Sequence, residues 1–237
     1  MANTTQHGQW LQLEQWFSES ELRAVSYDQV RYAIDQKTKP LGALGQIEII
    51  AAHLALLQDT LTPSIATSRT IVFGADHGIA DEGVSAFPAD VTAQMMANFA
   101  AGGAAVCVLS AANDVQVEVV DVGVNNDLSA LTEIVHAKVA TGTHNFAKLA
   151  AMNPDELVKS VEVGREAIRR AILDKVDCIG LGEMGIANTS SASAIIAMLL
   201  SLPASDITGR GTGIDDVALQ HKCKVIQSAI ELHQTHC

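Results

Sequence analysis

Hydrophobic positions along this chain follow two rhythms. Short apolar runs at Thr70–Ala75, Val115–Val122, Ile134–Val139 and Val176–Leu181 have the length and the polar or glycine boundaries of buried strands. Between and after them the apolar residues recur at helical spacing. One helix is expected from Asp90 or Val91 to Gly102-Gly103, and a short one over Ala104–Ala111. Asn153-Pro154-Asp155-Glu156 opens another through Leu157–Leu173, with Val161, Ile168 and Ile172 expected inward and Arg165, Arg169 and Arg170 outward. Ala192–Leu200 and Asp216–His233 are the last two, the latter carrying Val217, Val225, Ile226, Ile230 and Leu232. Upstream, Trp10 to Ile34 reads as two or three short amphipathic helices, and Gln46–Gln58 as a helix bearing Ile47, Ile50, Leu54 and Leu57.

Strands alternating with helices across 70–202 predict an α/β fold: a doubly wound, mostly parallel sheet with helices on both faces. A small N-terminal helical appendage, residues 1–36, is expected to precede a main domain at 37–237. The length, 237 residues, suits one large domain with such an appendage. The 48% of apolar residues supply a substantial core.

Composition narrows the function. A net charge of −12 argues against a nucleic-acid surface, and 4% aromatic residues leave little for base stacking along a strand. Cys107, Cys178, Cys223 and Cys237 are far apart and form no C-x-x-C pair, so neither a structural zinc nor a disulfide framework is expected. The polar start, Ala2-Asn3-Thr4-Thr5-Gln6-His7, lacks a signal pattern, and the apolar stretches are expected to fall short of a membrane span. These features together predict a cytoplasmic protein.

The chemistry gathers at Asp177–Ser190. Here a strand, a turn punctuated by glycines at 180, 182 and 185, and the capping types Asn188, Thr189 and Ser190 run into the Ala192–Leu200 helix. Free backbone N–H groups at the positive end of a helix bind phosphate without a basic side chain. The glycines also spell G-x-G-x-x-G, but a dinucleotide fingerprint needs a second strand before an acidic residue about 20 positions on. Asp206 stands near that distance after Leu202-Pro203-Ala204-Ser205, which is no strand. A second glycine loop, Thr208–Gly213, follows, and two such loops suit a mononucleotide phosphate. Asp76 and His77 end the first strand, where side chains enter the ligand crevice of an α/β sheet; a capping role for Asp76 is compatible with that. Phe87, beside Pro88 in a polar loop, is placed to stack on a planar ligand, with simple packing as the alternative.

Six blocks stand in order: Lys39–Gly45, Asp76-His77-Gly78, Val84–Pro88 with Val91–Met95, Gly142–Asn145, Leu181–Thr189 and Gly209–Gly213. From about Lys37 onward the chain closely resembles nicotinate-nucleotide–dimethylbenzimidazole phosphoribosyltransferase, the cobalamin nucleotide-loop family. The resemblance implies transfer of phosphoribosyl from nicotinate mononucleotide to 5,6-dimethylbenzimidazole, giving α-ribazole 5′-phosphate and nicotinate, with no cofactor or metal. It implies phosphate or nucleotide contacts at Gly182, Glu183, Gly185, Asn188, Thr189, Ser190, Gly209, Gly211, Thr212, Gly213 and Lys222. It implies base contacts at Ser85, Ala86, Phe87 and Gln94, with Asp76 and His77 beside them, and a homodimer. Ala187 stands where the family more often has glycine. The family's general-base glutamate is expected beyond residue 237, which leaves Glu183 as the candidate within this chain. The alternative is a non-catalytic or partner-dependent nucleotide-binding relative that lacks the base.

Overall fold

The structure, a computed structural model, describes residues 24–234. The chain divides into two compact units, Met1–Ala66 and Thr67–Cys237. In the first, α1 (Tyr27–Asp35) starts at a reciprocal cap: the Ser26 hydroxyl accepts from the Gln29 N–H, and the Gln29 side chain accepts from the Ser26 N–H. Helix α2 (Gln46–Leu57) packs with it around Val30, Ile49, Ala52, Ala55 and Leu56. This shared core carries the first unit past residue 36, where the sequence pattern set its end. Ile47, Ile50 and Leu57 lie on the exposed face of α2, because burial follows the Glu48–Ile49–Ala52 side. The buried Glu48 carboxylate is answered by Lys39 at 2.8 Å. The expected helices before Ala24 lie outside the described residues.

The second unit is built on four parallel strands in the order β3-β2-β1-β4. They are β1 (Ser68–Ala75), β2 (Gln116–Gly123), the two-residue β3 (Val135–His136) and β4 (Cys178–Met184). Side chains alternate between the faces. Ile71 and Val120 meet Ala167 of α5 (Pro154–Leu173) on one side. Val72 and Val119 meet Met96, Phe99 and Ala104 on the other, under α3 (Val91–Ala100) and α4 (Ala105–Ala112). The doubly wound parallel architecture is therefore as the pattern predicts. Beyond β4, α6 (Asn188–Leu200), the short α7 (Ala204–Ile207) and α8 (Asp216–Gln234) form a helical cluster around Ala194, Ala197, Ile226 and Ile230.

Four local expectations are corrected. Gly180 and Gly182 lie inside β4, opposite Thr70 and Val72, and not in a turn; of the three glycines only Gly185 follows the strand. On α5 the inward residues are Ala167 and Ala171, while Val161, Ile168 and Ile172 are exposed. Small residues let a helix close on a sheet, and the larger aliphatics flank that contact. Arg170 is not part of a solvated face, since it reaches Glu118 of β2 at 2.5 Å. Finally, 91–112 does reach the length and apolarity of a membrane span, but it is two helices broken at Gly102, where φ is +74°. The start of α5 is as expected, with Asn153 and Glu156 in a reciprocal cap and Pro154 in the first turn.

Candidate functional site

In this strand order the chain turns from β1 toward β2 on one side, while β4 lies on the other. The crevice of a doubly wound sheet opens at that switch point, outside the carboxyl ends of the strands. Asp76 and His77 follow β1 there, Glu183 lies near the end of β4, and Gly185 follows it. His77 Nε2 lies 3.0 Å from Glu183 Oε1, and His77 Nδ1 lies 3.1 Å from Ser191 Oγ in the first turn of α6. The His77 side chain keeps 13% of its exposure and that of Glu183 keeps 32%. Burial pushes the Glu183 carboxyl above the usual carboxylate range, and hydrogen bonds from His77 and Asn188 pull it partly back. Gly185 makes this approach possible. A Cβ there would fall on the Ala75 carbonyl oxygen, 2.5 Å from Glu183 Oε1 and 2.7 Å from His77 Cδ2.

The N-cap of α6 is Ala187, in the left-handed region at φ +71°, and no side chain caps the helix. The capping role read into Asn188, Thr189 and Ser190 is thus corrected: they form the first turn. The left-handed backbone is also the reason glycine suits position 187. Thr92 Oγ1, in α3, accepts from the Ile186 N–H at 3.1 Å and fixes the turn from the other side. Ser190 is fully buried and its hydroxyl has no partner among the described residues.

Lys222 reaches this turn from α8. It is 1% exposed, yet among the described residues its ammonium meets only the Thr189 hydroxyl at 2.7 Å and the Gly209 carbonyl at 3.3 Å. No carboxylate among the described residues pairs with it, and burial pushes its pKa down. Gly211 and Gly213 take positive φ in the loop before α8. A Cβ on Gly211 would lie 2.9 Å from Thr189 Oγ1 and 3.3 Å from Lys222 Nζ, so this loop, with Gly209, Thr212 and Gly213, runs beside the cation. The result is a buried positive charge, a hydroxyl, a glycine loop and an uncapped helix start gathered at one place, an arrangement matched to a dianionic phosphate.

Among the predicted site residues, Gly182 sits in β4 against Val72 and not in a loop. Asp76 is buried; its Oδ2 accepts from the Asn125 N–H at 2.7 Å, and its Oδ1 has no partner among the described residues. Ser85, Ala86 and Phe87 precede α3 in an open loop, with Phe87 50% exposed and so outside the core. Gln94 lies on the exposed side of α3. None of the four has a side-chain bond to the His77–Glu183 cluster among the described residues. Sequence reasoning missed Ser191 and Thr92. A serine in the first turn of an apolar helix and a threonine inside another carry no pattern that marks them; only the fold brings them to the crevice.

A family model described as phosphoribosyltransferase matches residues 20–237. The chain is 46% identical over 205 residues to a nicotinate-nucleotide–dimethylbenzimidazole phosphoribosyltransferase of Cupriavidus necator, covering 86% of this chain and 59% of that protein. A protein of the same name from Photobacterium profundum is 44% identical over 208 residues, covering 87% and 60%. Among solved structures, that of CobT from Thermus thermophilus superposes with a TM-score of 0.82 at 42% identity, covering 86% of this chain and 62% of that one. The chain thus spans about three fifths of the length of the curated relatives it matches.

Proposed function

The chain belongs to this phosphoribosyltransferase family, and from that premise we propose that it transfers phosphoribosyl from nicotinate mononucleotide to 5,6-dimethylbenzimidazole. The observation that carries the reading is Lys222, a buried ammonium with no anion of its own among the described residues. The nucleotide 5′-phosphate fills that role, held by Lys222, Thr189, the first turn of α6 and the 209–213 loop. This places the ribose toward the β1–β4 crevice. The benzimidazole enters from the Ser85–Phe87 loop, where Phe87 and Gln94 bound its face and edge.

A benzimidazole nitrogen then attacks the anomeric carbon as the bond to the pyridinium nitrogen breaks. The bonding pair neutralises the pyridinium, and nicotinate departs. The other benzimidazole nitrogen loses its proton to a carboxylate, and Glu183, with its raised pKa and its place at the crevice, is the group in this chain suited to take it. Orientation of two bound rings supplies the rest of the acceleration. The expected homodimer belongs to this reading as well; the exposed Leu181, Ile172 and Leu173 support it. The net charge of −12 supports small-molecule substrates over a polyanion.

Calorimetry tests the carrying observation. Nicotinate mononucleotide should bind at least about tenfold more tightly than the ribonucleoside lacking the phosphate, the scale of one charge-assisted hydrogen bond. Adding 5,6-dimethylbenzimidazole should then yield α-ribazole 5′-phosphate. Equal affinities would remove the phosphate site, and binding without product would leave a nucleotide-binding relative.

A further inference from the structure

His77 is bonded at both ring nitrogens, to Glu183 on one side and to Ser191 on the other, at 3.0 and 3.1 Å. A neutral imidazole has one donor and one acceptor, whereas a hydroxyl can play either part. With the imidazole neutral, the chain Glu183–His77–Ser191 is therefore fully bonded in two states. With Glu183 ionised, Nε2–H donates to the carboxylate and Nδ1 accepts from the Ser191 hydroxyl. With Glu183 protonated, its O–H donates to Nε2 and the Nδ1–H donates to Ser191 Oγ. Neither state leaves a buried group unpaired, so neither incurs the penalty of an unmade hydrogen bond.

Resting on the reading of Glu183 as base, we propose that His77 and Ser191 are positioning residues that hold the Glu183 carboxylate toward the crevice and follow its protonation by exchanging the imidazole tautomer. Ser191 is what separates this from a plain His–carboxylate pair. A backbone carbonyl at the same place would lock Nδ1–H and leave Nε2 only to accept, which suits the protonated acid and not the base. The scaffold is rigid where it needs to be: His77 follows the central strand β1, Ser191 belongs to the first turn of α6, and Gly185 keeps the space between them clear. The other polar groups near Glu183 among the described residues are these. Asn188 bonds it from α6, Asp76 precedes His77, α3 contributes only the neutral Thr92 to the turn, and the Lys222 ammonium from α8 is engaged with Thr189.

Nitrogen-15 NMR of the histidine-labelled chain reads the tautomer directly, with His77 assigned by its loss in His77→Gln. We expect the Nε2–H form where Glu183 is ionised, changing to the neutral Nδ1–H form at lower pH as Glu183 takes up its proton. An imidazolium signal in its place would overturn the proposal. In Glu183→Gln that change should vanish, because the amide does not titrate. A tautomer indifferent to Glu183→Gln would overturn the proposal whether or not the chain is an active transferase. In turnover, His77→Phe should lower kcat by about 10²-fold, the low end of the cost of losing a general base, with KM for nicotinate mononucleotide unchanged. Ser191→Ala should narrow the kcat–pH profile, and Ser191→Thr, which restores the hydroxyl, should recover it. Loss of KM and kcat together, with no rescue by threonine, would mean that the two residues only support the fold. An inactive wild-type chain with a Glu183-dependent tautomer would refute the transferase reading and leave the relay standing.

Discussion

The second unit buries two cations and treats them in opposite ways. Arg69, on β1, has its guanidinium saturated by its own chain: Gln116 Oε1 at 2.8 Å, Glu118 at 3.2 Å and Asp174 at 2.7 Å. Lys222, still more deeply buried, is given a hydroxyl and a carbonyl and, among the described residues, no charge. The first arrangement is closed and ties β1, β2 and the end of α5 together. The second is open, and folding alone leaves it costly. A buried charge that the chain itself neutralises is structural; one that the described residues leave unneutralised beside a glycine loop points to a ligand.

Removing each cation should break the comparison in opposite directions. Arg69→Leu strips the partner from Asp174 and one partner from Glu118, and should cost about 3 kcal/mol, the low end for breaking a buried pair, since Glu118 keeps Arg170. Urea unfolding reads this directly. Lys222→Gln should leave the unliganded chain as stable as the parent or more so at pH 7, while nicotinate mononucleotide affinity falls about 10- to 100-fold. The folded pKa of Lys222 lies below its ordinary value. Its cost is therefore fully present below that depressed value and disappears as pH rises through it toward 10.5. Parent and variant stabilities should converge over that alkaline range, and parallel curves would show that Lys222 is not the strained group.

Glu183 sharpens the contrast from the acidic side. Its folded pKa is raised, so folding is favoured most below the unfolded value of about 4.5 and loses that advantage as pH rises through the folded one. Glu183→Gln should be the more stable chain at neutral pH and should lack this slope, while its turnover falls. The smallest effect belongs to Ala187. Glycine there relieves left-handed strain of about 1–2 kcal/mol against an unfolded-state entropy loss of about 0.4–1 kcal/mol. Thermal melting of Ala187→Gly should show a gain of about 1 kcal/mol or less, and a loss would mean that burial of the methyl outweighs its strain.

These residues also mark how far the sequence could be read. The strands, the cap at Asn153 and the crevice position of Asp76-His77 were legible, because period, capping chemistry and strand ends are local signals. The inward face of α5 was not. Its pattern offers Val161, Ile168 and Ile172, but the contact with the sheet is made by Ala167 and Ala171, and closeness of approach is set by the sheet. Gly180 and Gly182 read as a turn because glycine usually breaks a strand; their strand character comes from pairing with β1, about a hundred residues away in sequence. Lys222 lies among polar neighbours, Gln220, His221 and Lys224, so it entered the candidate set only through the family resemblance. Ser191 left no trace in the sequence, since its partner is His77.

Among the described residues, β4 has a strand on one side only, with Leu181 72% exposed along it. In a parallel strand the amides point alternately left and right, so every second N–H of β4 has β1 as partner and the next has none. Hydrogen–deuterium exchange along Cys178–Met184 should therefore alternate between slow and fast, while β1, paired on both sides, exchanges slowly throughout. His77 hangs from the more constrained of these strands and Glu183 from the less constrained. Fluctuation of β4 against β1 is then the motion that lengthens or shortens the bond between them, and the exchange rates of its amides are a clock for how often that bond opens.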